Sequence, residues 1–344
     1  MEMKTNLNSK KILIIGGGSW GTSFANYLSL IFDQVRIWVR ENDILKNINK
    51  NHENHIFLKG IKLNKNLVAV NNLEEEVENS QIMVFAVPSK FIRHVFIKIK
   101  KIINNEHIIV NLSKGIESDS LLTVSNIAKD IFGFDVLGQW ITFSGPSFAR
   151  ELALKNPTAI VSASLNNNIL KDIQDLFSTE ILRIYTTNDL IGVEIGGSLK
   201  NIIAIASGMI RGLGFGYNST ASLVTRSIVE ISKLGIKMGA KPETFWGLAG
   251  IGDLMLTCFG PLSRNFQLGE KIAKGESLEK IQASTPMIAE GVETTKAVMK
   301  LSKKLGLEMP ITENVYNVLF NNKKPEQALK SLMKRSLKRE WDIN

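Results

Sequence analysis

KILIIGGGSWG, Lys11 to Gly21, is the stretch from which the fold is read. The apolar run Ile12 to Ile15 has the length of a buried parallel strand, and it leads straight into Gly16-x-Gly18-x-x-Gly21. Behind it, FANYLSLIF has the apolar spacing of a helix. Gly16 permits the tight turn, Gly18 lets the backbone approach a pyrophosphate, and Gly21 lets the helix pack against the strand. The helix N-terminus then faces the anion. A glycine triplet alone is weak evidence; between a strand and a helix it predicts a Rossmann-type dinucleotide site.

The length of 344 residues exceeds what one core usually organises, so two domains are expected. With 44% hydrophobic residues the composition is that of a globular protein, and the sequence reading finds no apolar run of about 20 residues to span a bilayer. The polar start MEMKTNLNSKK leaves no room for a signal peptide and predicts a cytoplasmic location. The single cysteine, Cys258, agrees with a reducing compartment and reads as a small buried residue rather than a nucleophile. A net charge of +9 admits anionic partners, including nucleic acid or a membrane surface, but the lysines are scattered as compositional bias rather than gathered in a patch; the charge is compatible with phosphorylated small molecules, and no nucleic-acid partner is expected. Only KSLMKRSLKREWDIN is locally basic. Its Leu332, Met333, Leu337 and Trp341 predict an amphipathic terminal helix docked on the body.

Along the chain, QVRIWVR reads as a second strand ending at Arg40, where an NAD-specific site usually carries an acid on the ribose hydroxyls. An arginine there suits a 2′-phosphate, so NADP is accepted beside NAD; the plainer reading, an exposed strand-end arginine, is strengthened by Glu41 next to it. Polar residues 44–66 predict a short helix and loop, and His52 and His55 have no companions at metal-ligand spacing, so no metal is expected. LVAV, QIMVFAVPS, HIIVNLSKGIE, WITFSGPSFA, TAIVSAS and LRIYTTN bring the sheet to about eight mostly parallel strands. Lys114 falls at a strand end, where ligands of open α/β sheets collect. Past Leu190 the pattern turns wholly helical, which sets a dinucleotide-binding domain at 1–190 and a helical substrate domain at 191–344.

Within the first long helix, Lys200 and Asn201 stand in GGSLKNIIAIA, an apolar and small-residue context. A lysine there needs partners or a task, and burial lowers its pKa toward that of a proton donor at neutral pH. GLAGIGDL places Asp253 in a glycine-rich turn, and GPLSRNF places Ser263, Arg264 and Asn265 at a helix start, a ready anion site. Asp253 and Ser263 read equally well as helix caps, and Arg264 as a surface charge.

These residues carry a resemblance. GGGSWGTSFA, VPS, NLSKGIE, SGPSFARE, GVEIGGSLKNIIAIASG, NSTASLVTRS, GLAGIGDLMLTC, SRN and MIAEGVET occur in order over almost the whole chain, and together they closely resemble bacterial NAD(P)-dependent glycerol-3-phosphate dehydrogenase. The resemblance implies a Rossmann-type domain followed by a helical domain like that of 6-phosphogluconate dehydrogenase. It also implies reversible hydride transfer between NAD(P)H and dihydroxyacetone phosphate, giving glycerol 3-phosphate for phospholipid synthesis. By motif, Lys200 would be the proton donor and Lys114 would hold substrate and cofactor. Asn201, Asp253 and Thr257 would surround the hydroxyls; Ser263, Arg264 and Asn265 would take the phosphate; Gly145 and Ser147 would sit near the substrate. Gly16, Gly18, Ser19, Trp20, Gly21, Arg40, Ala149, Arg264, Ile288 and Glu290 would line the cofactor. Relatives of this kind are often dimeric, so a homodimer is left open.

The chain departs from the family pattern at Gly214-Phe215-Gly216-Tyr217-Asn218, at Phe57-Leu58-Lys59-Gly60 and at Thr220, none of them a proposed catalytic group. Two other readings compete: another two-domain hydroxyacid dehydrogenase, against which the Arg264-Asn265 pair speaks, and a non-catalytic dinucleotide sensor.

Overall fold

The computed structural model describes residues 10–285, 289–337 and 339–340. Eight strands, β1 (Ile12–Ile15), β2 (Val35–Trp38), β3 (Leu67–Val70), β4 (Ile82–Phe85), β5 (Ile108–Asn111), β6 (Trp140–Ser144), β7 (Thr158–Ala163) and β8 (Leu182–Thr187), form one sheet in the order β3-β2-β1-β4-β5-β6-β7-β8. The order reverses at β1, which pairs in parallel with β2 on one side and with β4 on the other. That reversal opens a crevice at the carboxyl ends of β1 and β4, and the glycine turn lies in it. β1 and β4 are buried throughout, as strands covered on both faces must be.

One pairing departs from the parallel pattern: β7 runs antiparallel to β6. The connection between them holds only the five-residue helix Ala149–Ala153. Such a helix rises about 7 Å against the roughly 16 Å length of a five-residue strand, too short to carry the chain back for a parallel return.

The sheet helices are α1 (Ser19–Leu28), α2 (Asn42–Asn51), α3 (Leu73–Glu78), α4 (Ser89–Ile99), α5 (Val124–Phe132), α6 (Ala149–Ala153) and α7 (Asn167–Phe177). After β8 no further strand occurs among the described residues. There follow α8 (Leu190–Gly212), α9 (Tyr217–Lys237), α10 (Asp253–Phe259), α11 (Arg264–Ala273), α12 (Leu278–Ala283), α13 (Glu290–Leu305), α14 (Pro310–Phe320) and α15 (Pro325–Met333). The Asp189 side chain caps α8 by accepting from Gly192 N at 3.0 Å and also accepts from Lys241 N and Thr244 Oγ1.

Helix α8 is apolar nearly all round, and the other C-terminal helices pack about it. Contrary to the sequence reading, this helix is long and apolar enough to cross a membrane by length and composition; 89% of its most apolar window is buried inside the protein, which makes it a core helix. Its Leu190 and Val193 join the core on one face of the sheet, tying the helical region to the strands. Where α8 crosses α11, a Cβ on Gly208 would strike the Phe266 carbonyl oxygen, and one on Gly269 that of Ile205, so the two backbones touch.

The basic tail also differs from expectation. α15 ends at Met333; Met333 and Leu337 are exposed, and only Leu332 packs against the helical core. Trp341 lies outside the described residues.

Candidate active site

Lys114 is placed by the turn that ends β5. The Asn111 side chain grips Ser113, its Oδ1 accepting from Ser113 N at 3.0 Å and its Nδ2 donating to Ser113 O at 3.1 Å. The turn is then fastened to α8: Gly115 N donates to Ser198 Oγ at 2.9 Å, and Ser198 Oγ donates to Glu194 O at 2.6 Å. A Cβ on Gly197 would stand 2.7 Å from Ser144 Oγ and 3.5 Å from Lys114 Cδ, so a glycine on α8 leaves the space in which the lysine stem runs.

Asp253 receives that lysine. The sequence reading placed it in a glycine-rich turn; it is the first residue of α10, delivered by the single π-helical turn Leu248–Gly252, and it is fully buried. Its Oδ2 accepts from Lys114 Nζ at 2.7 Å and from Ser144 Oγ at 3.5 Å. Its Oδ1 accepts from Lys200 Nζ in a short contact, and Thr257 Oγ1 donates to the Asp253 backbone oxygen at 2.6 Å. One carboxylate thus joins an ammonium from the sheet to an ammonium from the helical core.

The electrostatics follow from burial and charge count. Burial pushes the Lys200 ammonium down to about 8; Asp253 opposes that shift and Lys114 reinforces it. Burial alone would raise Asp253, but the two lysines hold it below the ordinary carboxylate range. Glu290, at the start of α13, is raised by burial, with Arg264, Lys114 and Lys200 pulling the other way. Cys258, raised by burial, is a buried thiol as read from the sequence.

The residues expected to take an anion lie together at the start of α11. Ser263 Oγ caps the helix by accepting from Phe266 N at 3.3 Å, and Arg264 is exposed at its first residue. Asn265 Oδ1 accepts from Gly291 N at 3.0 Å, which joins this helix start to that of α13 beside Glu290. A Cβ on Gly291 would lie 2.6 Å from the Asn201 carbonyl oxygen, so Asn201 borders the same junction.

At the cofactor end, Gly16 adopts φ +123°, a conformation that L side chains rarely take, and a Cβ there would also stand 2.6 Å from the Ala86 carbonyl oxygen. Gly18 precedes Ser19, the first residue of α1; Trp20 packs on Phe24, and Ser23 Oγ donates to Ala149 O at 2.6 Å. Ser147 Oγ donates to Gly145 O at 3.0 Å. Arg40 is exposed and bonds Glu41 through Nε and Nη2, at 3.1 and 2.7 Å to the same oxygen. Ile288 lies outside the described residues.

Comparison with known proteins matches these two regions separately. Residues 11–170 fit the N-terminal model, and residues 189–330 the C-terminal model, of NAD-dependent glycerol-3-phosphate dehydrogenase. The chain is 45% identical over 332 residues to glycerol-3-phosphate dehydrogenase [NAD(P)+] of Citrifermentans bemidjiense, covering 96% of this chain and 99% of the relative. The chain belongs to the NAD-dependent glycerol-3-phosphate dehydrogenase family. The Bacillus subtilis enzyme of that name is 43% identical, with 97% of this chain and 96% of the relative aligned. A crystal structure of the Coxiella burnetii glycerol-3-phosphate dehydrogenase superposes with a TM-score of 0.90 at 33% identity, covering 95% of this chain and all of the other.

As a member of that family the chain is an NAD(P)-dependent oxidoreductase, and the glycine turn fits such a cofactor. A Cβ on Gly18 would meet nothing within 4 Å, so the turn leaves open space at the start of α1. Sequence reasoning missed two polar residues. Ser144 figures in the sequence reading only within the strand segment WITFSGPSFA, with no role of its own. Glu194, a lone carboxylate in the same apolar helix as Lys200, accepts from Ser125 N, Ser125 Oγ and Thr142 Oγ1 and so ties α8 to the sheet region; the burial argument applied to Lys200 singles it out as well.

Proposed function

We propose that this chain reduces dihydroxyacetone phosphate to sn-glycerol 3-phosphate, reversibly, with Lys200 as the proton donor. The observation that carries the assignment is the buried Asp253 carboxylate shared by Lys114 and Lys200, beside a helix start bearing Arg264. When bound, NADH or NADPH supplies the hydride to C2. The C2 oxygen needs a proton as its negative charge develops, and Lys200 Nζ, lowered to about 8, gives it readily and takes it back in the oxidation direction. Lys114 adds a second fixed positive charge toward that oxygen, while Asp253 holds both ammonium groups in place.

Arg264 and the free amides at the start of α11, with Ser263 and Asn265, take the substrate phosphate. Asn201, Thr257, Gly145 and Ser147 complete the substrate wall. Gly16, Gly18, Ser19, Trp20, Gly21, Arg40, Ala149, Arg264 and Glu290 line the cofactor, with Lys114 between the two ligands. In this reading residues 1–190 supply most of the dinucleotide site, and residues 191–344 carry the proton donor, the residues that bind the substrate phosphate, and Arg264 and Glu290 on the cofactor. The activity is assigned to the cytoplasm, and the homodimer that the resemblance leaves open is decided by light scattering.

Initial rates test the reaction. Dihydroxyacetone phosphate should be reduced with NADH or NADPH while a panel of 2-keto acids is not; turnover of a keto acid alone would overturn the assignment.

A further inference from the structure

Asn54 lies in the segment that joins α2 to β3 and is fully buried. Its placement is set by His52, which caps α2 in the left-handed conformation and turns the chain back toward the glycine turn. There the Asn54 amide uses both of its ends. Nδ2 donates to the Gly17 carbonyl oxygen and to Thr22 Oγ1, each at 2.8 Å, and Oδ1 accepts from Phe57 N at 3.0 Å. Thr22, also fully buried, donates to the same Gly17 oxygen at 3.2 Å.

The peptide unit makes this bond consequential. The Gly17 carbonyl and the Gly18 N–H belong to one planar trans peptide, so they point in opposite directions. Two buried donors that draw the carbonyl inward aim the N–H outward, to the side where α1 begins and an anion is received. We propose that Asn54 is a positioning residue for the cofactor, holding the Gly17 carbonyl so that the Gly18 amide faces the pyrophosphate. The proposal rests on the reading of the glycine turn as a dinucleotide site.

Only a neutral amide suits the position. It must donate to a carbonyl and a hydroxyl and accept from a backbone N–H at once; a carboxylate of equal size has no proton to donate, and would set a negative charge behind an anion site. The same residue fixes the wall beside the turn. Leu58 N donates to Asn54 O at 2.9 Å, Gly60 N donates to Glu53 Oε1 at 2.8 Å, and Arg150 Nη1 on α6 donates to Lys59 O at 3.0 Å. The Phe57-Leu58-Lys59-Gly60 loop, one of the departures from the family pattern, is thereby stapled between the glycine turn and α6.

Fluorescence titration of NADH and NADPH into wild type, Asn54→Asp and Thr22→Val tests this without reference to turnover. Losing one donor to the Gly17 carbonyl should raise the Kd of both dinucleotides about tenfold and to the same extent, since the pyrophosphate is common to them. In steady state the loss should fall on the cofactor KM, with the KM for dihydroxyacetone phosphate moving less than twofold. A cofactor Kd within twofold of wild type overturns the proposal, as does a parallel rise in both KM values, which marks general disruption. If Asn54→Asp does not fold, Asn54→Ser and Thr22→Val carry the same test. Wild-type protein that binds neither dinucleotide overturns the glycine-turn reading instead.

Discussion

The glycine turn and the Asp253 cluster, the two ends of the proposed site, are built in opposite ways. The first is written by consecutive residues, Lys11 to Gly21, and its conformation follows from glycine at fixed spacing. The second gathers Lys114, Ser144, Lys200, Asp253 and Thr257, with Lys114 and its carboxylate partner 139 positions apart. A local site can be damaged one atom at a time; a gathered site fails as a network, because each charge is held only by its partners. Substitutions in the two regions should therefore leave different signatures.

The largest effect is expected for Lys200→Ala, which removes the proposed proton donor and should lower turnover about 100-fold or more while cofactor affinity holds. The wild-type pH profile sharpens this. If Lys200 is the proton donor, the reduction rate should fall as pH rises through about 8, and oxidation, which would need the neutral amine, should rise through the same value. An unchanged turnover in Lys200→Ala would favour a non-catalytic sensor.

Asp253→Asn should come next, at about 10- to 100-fold in turnover, because two buried ammonium groups lose a charged acceptor. Asp253 raises the Lys200 pKa, so its neutralisation should move the alkaline limb of the reduction profile below 8; a limb that stays put would show that the pair does not set the proton donor.

In the glycine turn the signature reverses. Gly18→Ala places a methyl group in open space without backbone strain, so the melting temperature should hold, while the intruding methyl should weaken both dinucleotides about tenfold or more. A drop in stability with unchanged cofactor binding would contradict the role given to this glycine.

The smallest effect is expected for Arg40→Ala. Arg40 is exposed and already paired with Glu41, so its net worth to a 2′-phosphate should be about fivefold at most, confined to the KM for NADPH. An equal loss with NADH would remove Arg40 from the 2′-phosphate site.

The same contrast explains what could be read from the sequence. The strands were visible because each is a short apolar run between polar segments, and the turn to a helical region at Leu190 showed in the loss of such runs. The antiparallel β7 was invisible, since it depends on the reach of the short α6 rather than on the composition of the strand. Lys200 betrayed itself as a charge in an apolar helix. Asp253 was found but misplaced in a turn, because the π-helical turn ahead of it has no periodic signal. Asn54 gave no sign at all: its partner Gly17 is 37 positions earlier, and asparagine is common throughout that polar segment.

The glycines of α8 set a limit on how this protein can diverge. Gly196 abuts the Ala249 carbonyl, Gly197 the Lys114 stem, Gly208 the Phe266 carbonyl and Gly212 the Ala273 side chain, so one helix is keyed at four points to three neighbouring segments along its length. Each inserted residue turns everything beyond it by about 100°. Surface loops can lengthen or shorten freely, but an insertion or deletion between Gly196 and Gly212 would unseat the keys on one side of it, which makes the length of this segment a frozen quantity.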